Sequence, residues 1–179
     1  MELKGSRTEA NLMAAYAGES QARTKYNLYA SAARQEGYEQ IAAIFDETAH
    51  NEKEHAEIWL KYLKGGNLGA TVKNLEDAAG GEHFEWSEMY KEFADVAQQE
   101  GFEDIAASMR LIAGIEKQHE LRYRKLINNL KENIVFHSGQ ETLWICRNCG
   151  YIHSSKDAPM QCPVCKHPRS FFERKPDNY

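Results

Sequence analysis

The chain has 179 residues and a net charge of -5, and no uncharged apolar run is long enough to cross a bilayer. That length holds one medium domain, or one domain with a small module. The acidic balance argues against a nucleic-acid partner, which requires a basic face, and Met1-Glu2-Leu3-Lys4-Gly5-Ser6-Arg7 lacks the apolar stretch of a secretory signal, so the expected location is cytoplasmic.

Residues 6–36 read as a first helix, with Ser6 and Glu9 as a capping box and Gly37 as its stop. A second spans residues 38–64 and ends at Gly65-Gly66. A third begins between Val72 and Gly81 and ends near Glu100, and a fourth runs from about Phe102 to Lys131. No proline precedes Pro159, so nothing breaks them. Gln35-Glu36-Gly37-Tyr38-Glu39 aligns with Gln99-Glu100-Gly101-Phe102-Glu103 at an offset of 64, which carries on to Glu52 and Glu116 and to His55 and His119. Two repeated hairpins predict a mainly α fold, a four-helix bundle with internal pseudo-symmetry.

After about residue 140 the texture changes. Thr142–Ile145, Tyr151–His153 and Ser170–Glu173 read as short strands of a small β module that holds all four prolines. Residues 1–140 carry 16 Lys+Arg against 23 Asp+Glu, and residues 141–179 carry 6 against 4. Two domains are expected, 1–140 and 141–179.

On helical wheels the apolar stripes include Glu19 in the first helix, Glu52 and His55 in the second, Glu82 and Glu85 in the third, and Glu116 and His119 in the fourth. A lone buried carboxylate costs many kcal/mol unless neutralised. No lysine or arginine shares these stripes nearby, so two divalent cations are expected to supply the charge. One glutamate from each of two helices, with Glu-x-x-His from each of the other two, is the carboxylate-bridged two-iron pattern, and its oxygen and imidazole donors suit iron or manganese. Four glutamates suffice for such a site, and the place of Glu85 one turn after Glu82 makes it a fifth ligand. A solitary Glu-x-x-His is usually a solvated surface pair; its repetition at matching places is what overturns that reading here. Tyr16 and Tyr123 read as core aromatics, whereas Tyr26 and Tyr90 read as hydrogen-bonding partners of the ligands or of bound oxygen species.

Cys146-Arg147-Asn148-Cys149 and Cys162-Pro163-Val164-Cys165 are two metal knuckles twelve residues apart. A module of about forty residues cannot bury enough apolar surface to fold unaided, so a metal holds it. Taken alone, the four cysteines favour zinc, the commonest tenant of such sites. Beside a two-iron site that needs electrons singly, a four-thiolate iron fits better, and fusion keeps that donor at high effective concentration.

These residues together resemble the rubrerythrins. Gly18-Glu19-Ser20-Gln21-Ala22-Arg23, Glu52-x-x-His55, Gly81-Glu82-His83-Phe84-Glu85, Glu116-x-x-His119 and the closing Cys-x-x-Cys-Gly-Tyr and Cys-Pro-x-Cys look like that family's motifs across essentially the whole chain. The resemblance implies a ferritin-like di-iron domain followed by a rubredoxin-like FeS₄ domain. It implies a peroxidase that reduces hydrogen peroxide to water in an anaerobe or microaerophile, with electrons from an NAD(P)H-linked reductase through a rubredoxin-type carrier. It implies a homodimer in which one subunit's FeS₄ centre serves the other's iron pair. Glu19, Glu52, Glu82, Glu85, Glu116 and His119 are then ligands, and His55 binds in the reduced state and exchanges with Glu85 on oxidation.

The twelve-residue gap between knuckles is shorter than in free-standing rubredoxins. The link from second to third helix is also short: seven extended residues reach roughly 25 Å, against roughly 40 Å for the second helix. Either the third helix starts later or two chains exchange helical hairpins. Two other functions compete. A ferroxidase or iron-storage protein is opposed by the built-in cysteine module. A zinc-ribbon binding protein on a structural bundle is opposed by the inward acids.

Overall fold

The computed structural model describes residues 2–178. It contains two compact units that divide between Gly69 and Ala70. The fold is mainly α, four helices followed by a small antiparallel sheet bearing the four cysteines, as the sequence predicts. No helix among the described residues is long and apolar enough to cross a membrane.

The first unit is a hairpin of α1 (Arg7–Gln35) and α2 (Glu39–Leu63). Ser6 Oγ accepts the Glu9 N–H at 3.1 Å. The return bond of the capping box goes one residue further out, from the Gly5 N–H to Glu9 Oε2 at 2.6 Å. α1 closes with Gly37 at φ 86°, a conformation only glycine adopts cheaply. The Tyr38 N–H then reaches back to the Ala33 carbonyl at 2.8 Å.

The second unit opens with α3 (Thr71–Phe84), a π-helical turn (Glu85–Met89) and α4 (Tyr90–Gln99), one continuous rod, and returns as α5 (Glu103–Lys131). It repeats the first hairpin closely. Gly101 has φ 86° and Phe102 N–H bonds the Ala97 carbonyl at 2.8 Å. Buried Ala30, Ala33 and Ala42 recur as buried Ala94, Ala97 and Ala106, each at the offset of 64. Alanines let the two helices of each hairpin approach closely.

The third helix begins at Thr71, one residue ahead of the expected window, and the connector from α2 is Lys64–Ala70. A later start is therefore excluded. Several apolar residues on the predicted stripes, Ile41, Phe93, Val96, Ile105 and Ile112, are exposed. A two-helix layer buries only what lies between its own helices, and the remaining stripe needs a second layer to cover it.

After α5 the chain forms β1 (His137–Cys146), β2 (Ile152–Asp157), a 3₁₀ turn (Arg169–Phe171) and β3 (Phe172–Arg174). The antiparallel sheet has the order β2-β1-β3. Its core is Trp144, Phe172, Ala158, Cys146 and Cys162, with the Trp144 indole N–H donating to the Ser155 carbonyl at 3.0 Å. Burying two aromatic side chains contributes only about 3–6 kcal/mol, too little to order the module without a further clamp.

Candidate functional site

In the first hairpin Glu19 of α1 meets Glu52 and His55 of α2. His55 Nδ1 lies 2.9 Å from Glu52 Oε2 and 3.9 Å from Glu19 Oε1. In the second hairpin Glu82 of α3 meets Glu116 and His119 of α5. His119 Nδ1 lies 2.8 Å from Glu116 Oε2 and 3.6 Å from Glu82 Oε1. The four carboxylate side chains are only 28%, 17%, 19% and 16% exposed for Glu19, Glu52, Glu82 and Glu116. The donors of each group lie within 4.8 Å of one another. Ligands at about 2.1 Å from one ion stand at most about 4.2 Å apart, so the histidine–carboxylate separations suit a single cation in each group. Burial, then the negative charge of Glu116, pushes the Glu82 carboxyl above its usual range, as expected of an acid that awaits a positive partner.

Glu85 does not join the tight group of Glu82, Glu116 and His119. It opens the π-helical turn instead, close enough for its charge to raise both the Glu82 carboxyl and the Tyr90 hydroxyl. Tyr90 is raised mainly by burial, then by the charges of Glu85 and Glu116. Tyr26 lies in an aromatic group, with ring centres 6.1 Å from Phe45 and 6.3 Å from Tyr29.

One buried acid escaped the sequence reading. Glu120 follows His119 and is 6% exposed. Its Oε2 accepts the Trp86 indole N–H at 2.5 Å and lies 3.1 Å from His83 Nδ1, and its Oε1 accepts the Arg124 Nε–H at 2.6 Å. Burial alone would raise this carboxyl, but those three donors hold it at about 2. Glu120 is thus satisfied by its own chain and differs from the metal-group acids. The Glu120–Arg124 spacing of four residues was the available signal, but it looks the same in a surface ion pair.

The four cysteines converge between the two knuckles. Cys146 Sγ lies 3.7 Å from Cys165 Sγ, and Cys149 Sγ lies 3.6 Å from Cys162 Sγ. A disulfide needs about 2.05 Å, whereas a tetrahedral ion with sulfurs at about 2.3 Å has edges of about 3.8 Å. The sulfurs already stand at the spacing of a four-thiolate cage. The His167 backbone N–H draws the Cys165 thiol down to about 5. The Tyr151 backbone N–H pulls on Cys149, but burial and three neighbouring sulfurs push it up to about 12. One thiolate forms readily and opposes another, so four coexist only around a cation.

A family model described as rubrerythrin matches residues 10–127. A second, described as the rubredoxin-like domain of rubrerythrin, matches residues 144–173. The chain is 48% identical to a rubrerythrin of Porphyromonas gingivalis, covering 99% of this chain and 94% of that protein. It is 47% identical to rubrerythrin-1 of Clostridium acetobutylicum, covering 99% and 98%. It is likewise 47% identical to a rubrerythrin of Nitratidesulfovibrio vulgaris, covering 96% and 95%.

Proposed function

Because this chain belongs to the rubrerythrin family, we propose that it is a cytoplasmic non-haem di-iron peroxidase, reducing hydrogen peroxide to water with electrons relayed through its own four-cysteine iron centre and so protecting an anaerobe or microaerophile from oxidative stress. The observation that carries this reading is the presence of two matched Glu/Glu/His groups and a four-thiolate cage on one chain. A storage protein needs no built-in electron donor, whereas peroxide reduction consumes two electrons that such a centre can relay. The bundle and the cysteine module act as two domains that meet near residue 140.

Glu19, Glu52, Glu82, Glu85, Glu116 and His119 would hold the iron pair, with His55 engaged in the reduced state and Glu85 in the oxidised one. Cys146, Cys149, Cys162 and Cys165 would hold the single iron. When bound, the iron pair supplies two electrons to the O–O bond and stabilises the departing oxygens as a Lewis acid. Forming two waters also takes two protons. Tyr90, kept protonated by burial and by the charges of Glu85 and Glu116, holds one at its hydroxyl beside the acids. Tyr26 is assigned the same duty on the first hairpin. Electrons enter from a rubredoxin or an NAD(P)H-dependent reductase.

The working unit is a homodimer whose chains exchange helical hairpins. The seven-residue connector Lys64–Ala70 reaches about 25 Å at full extension. The 25 residues of α2 span about 37 Å, so the connector cannot return the chain along that helix.

Stopped-flow mixing of fully reduced protein tests the activity. Oxidation by peroxide is expected at least about tenfold faster than by dioxygen at equal concentration, a difference of about 1.4 kcal/mol in barrier. Equal rates would remove the peroxidase assignment.

A further inference from the structure

The two hairpins repeat with one flaw, which lies at the metal group. Glu19 stands sixteen residues before Gln35, but Glu82 stands seventeen before Gln99. The π-helical turn Glu85–Met89 takes up the extra residue, closed by the Tyr90 N–H bonding the Glu85 carbonyl five residues back. Without it, Glu82 would be rotated by about 100° relative to the buried Ala94 and Ala97 that seat this rod against α5. The π turn therefore brings Glu82 into register with Glu19 while also placing Glu85 at its own start.

A π turn inside an α-helix is locally less favourable than continuing the helix. Something must hold it. His83 and Trp86 flank Glu85, and both reach the same oxygen of Glu120 on α5, at 3.1 and 2.5 Å. The two rings pack edge to face with centres 5.3 Å apart, and Lys117 Nζ sits 5.1 Å over the Trp86 ring. Arg124 fixes the other carboxylate oxygen at 2.6 Å. At the offset of 64 the place of Glu120 is taken in the first hairpin by buried Ala56, and that hairpin has no π turn. The clamp and the bulge occur together in the same half.

We propose that Glu120 is a positioning residue, which locks the π-helical turn by holding Trp86 and His83 and thereby sets the direction of Glu82 towards Glu116 and His119 and the place of Glu85 at the start of the turn. The inference rests on reading Glu82 and Glu85 as iron ligands; the lock itself is a property of the chain.

The test uses the whole 179-residue chain with Glu120→Ala and, should that variant fold poorly, Trp86→Phe, which keeps an aromatic ring and removes the indole N–H. In metal-free protein, amide hydrogen exchange at residues 85–90 is expected to accelerate about ten- to a hundredfold, the effect of losing hydrogen bonds to a buried charge. The buried Ala94, Ala97 and Ala106 region should keep its protection. Glu120→Gln, which retains an oxygen for the indole, should restore part of the protection. In iron-loaded protein the absorption of the oxidised iron pair should shift, with the colour of the cysteine centre unchanged. Unchanged exchange at 85–90 in a folded variant overturns the lock. Uniform acceleration along α3–α5 overturns it equally, as does a local effect with an unmoved iron-pair spectrum, since either leaves only a structural strut. Failure of the underlying ligand reading would show separately, as wild-type protein that binds no iron pair.

Discussion

A Glu116→Ala chain is expected to hold one iron where the wild type holds three. Glu116 is half-buried, sits 2.8 Å from His119 and belongs to the group completed by Glu82. Removing it leaves Glu82, whose carboxyl is already raised by burial, with one fewer partner for a cation. Loss of a group that merely supports a metal ligand costs about 10- to 100-fold in affinity. Loss of a ligand should cost more, enough to empty the pair at micromolar iron. The cysteine centre should keep its iron and colour, and peroxide turnover should fall at least about a hundredfold. Metal analysis and a visible spectrum of the purified variant check this.

The same substitution tests the exchange of hairpins. In exchanged dimers, Glu52→Ala chains mixed with Glu116→Ala chains place both defects in one site and leave the other site whole. Unfolding and refolding the mixture should then recover about a quarter of wild-type activity, because half of the dimers are mixed and each has one sound site. Chains that keep their own hairpins recover none.

The second large effect is expected from Cys162→Ser. Cys162 is fully buried, with Sγ 3.6 Å from Cys149 Sγ. A serine oxygen is a poor substitute for a soft thiolate, and structural four-ligand sites contribute about 10–16 kcal/mol of folding free energy in small modules. The five-residue core around Trp144 and Phe172 cannot replace that. The variant should be colourless above 450 nm, lose amide protection through residues 137–174 and retain its helical circular dichroism. Steady-state peroxide turnover should fall at least about a hundredfold. A single turnover of chemically pre-reduced protein should proceed near the wild-type rate, since the bundle ligands are untouched. Retained colour, or equal loss in both assays, would break the proposed division of labour.

Much of this was legible because the chain repeats itself. Glu52 and His55 recur as Glu116 and His119, Gly37 as Gly101, and no solvated surface pair needs to recur with its hairpin turn. The paired Cys-x-x-Cys spacings were equally plain, because few arrangements bring four sulfurs within 4.8 Å. The π turn was not legible. It adds one residue between Glu82 and Gln99 and has no composition of its own, so the wheel simply drifts there. Glu120 was hidden for a different reason. Its burial comes from Trp86 and His83, 34 and 37 residues away, while its sequence neighbour Arg124 suggests a surface pair. The start of the third helix lacked a signal too, since Ala70 at its N-cap offers no side chain to the first N–H groups. Ile41, Phe93 and Ile105, which the wheels placed on inward stripes, are exposed instead, because a wheel reports which residues share a helix face and not whether a neighbouring element covers that face.

Clustered, half-buried glutamates are tolerable only around cations. Anaerobic titration of metal-free protein with ferrous ion, counted by mass spectrometry of the metal, measures this directly. The wild type should bind three equivalents per chain, two of them lost when Glu52 and Glu116 are both replaced by glutamine. A wild-type chain that saturates at one equivalent, held by the cysteines alone, would contradict it.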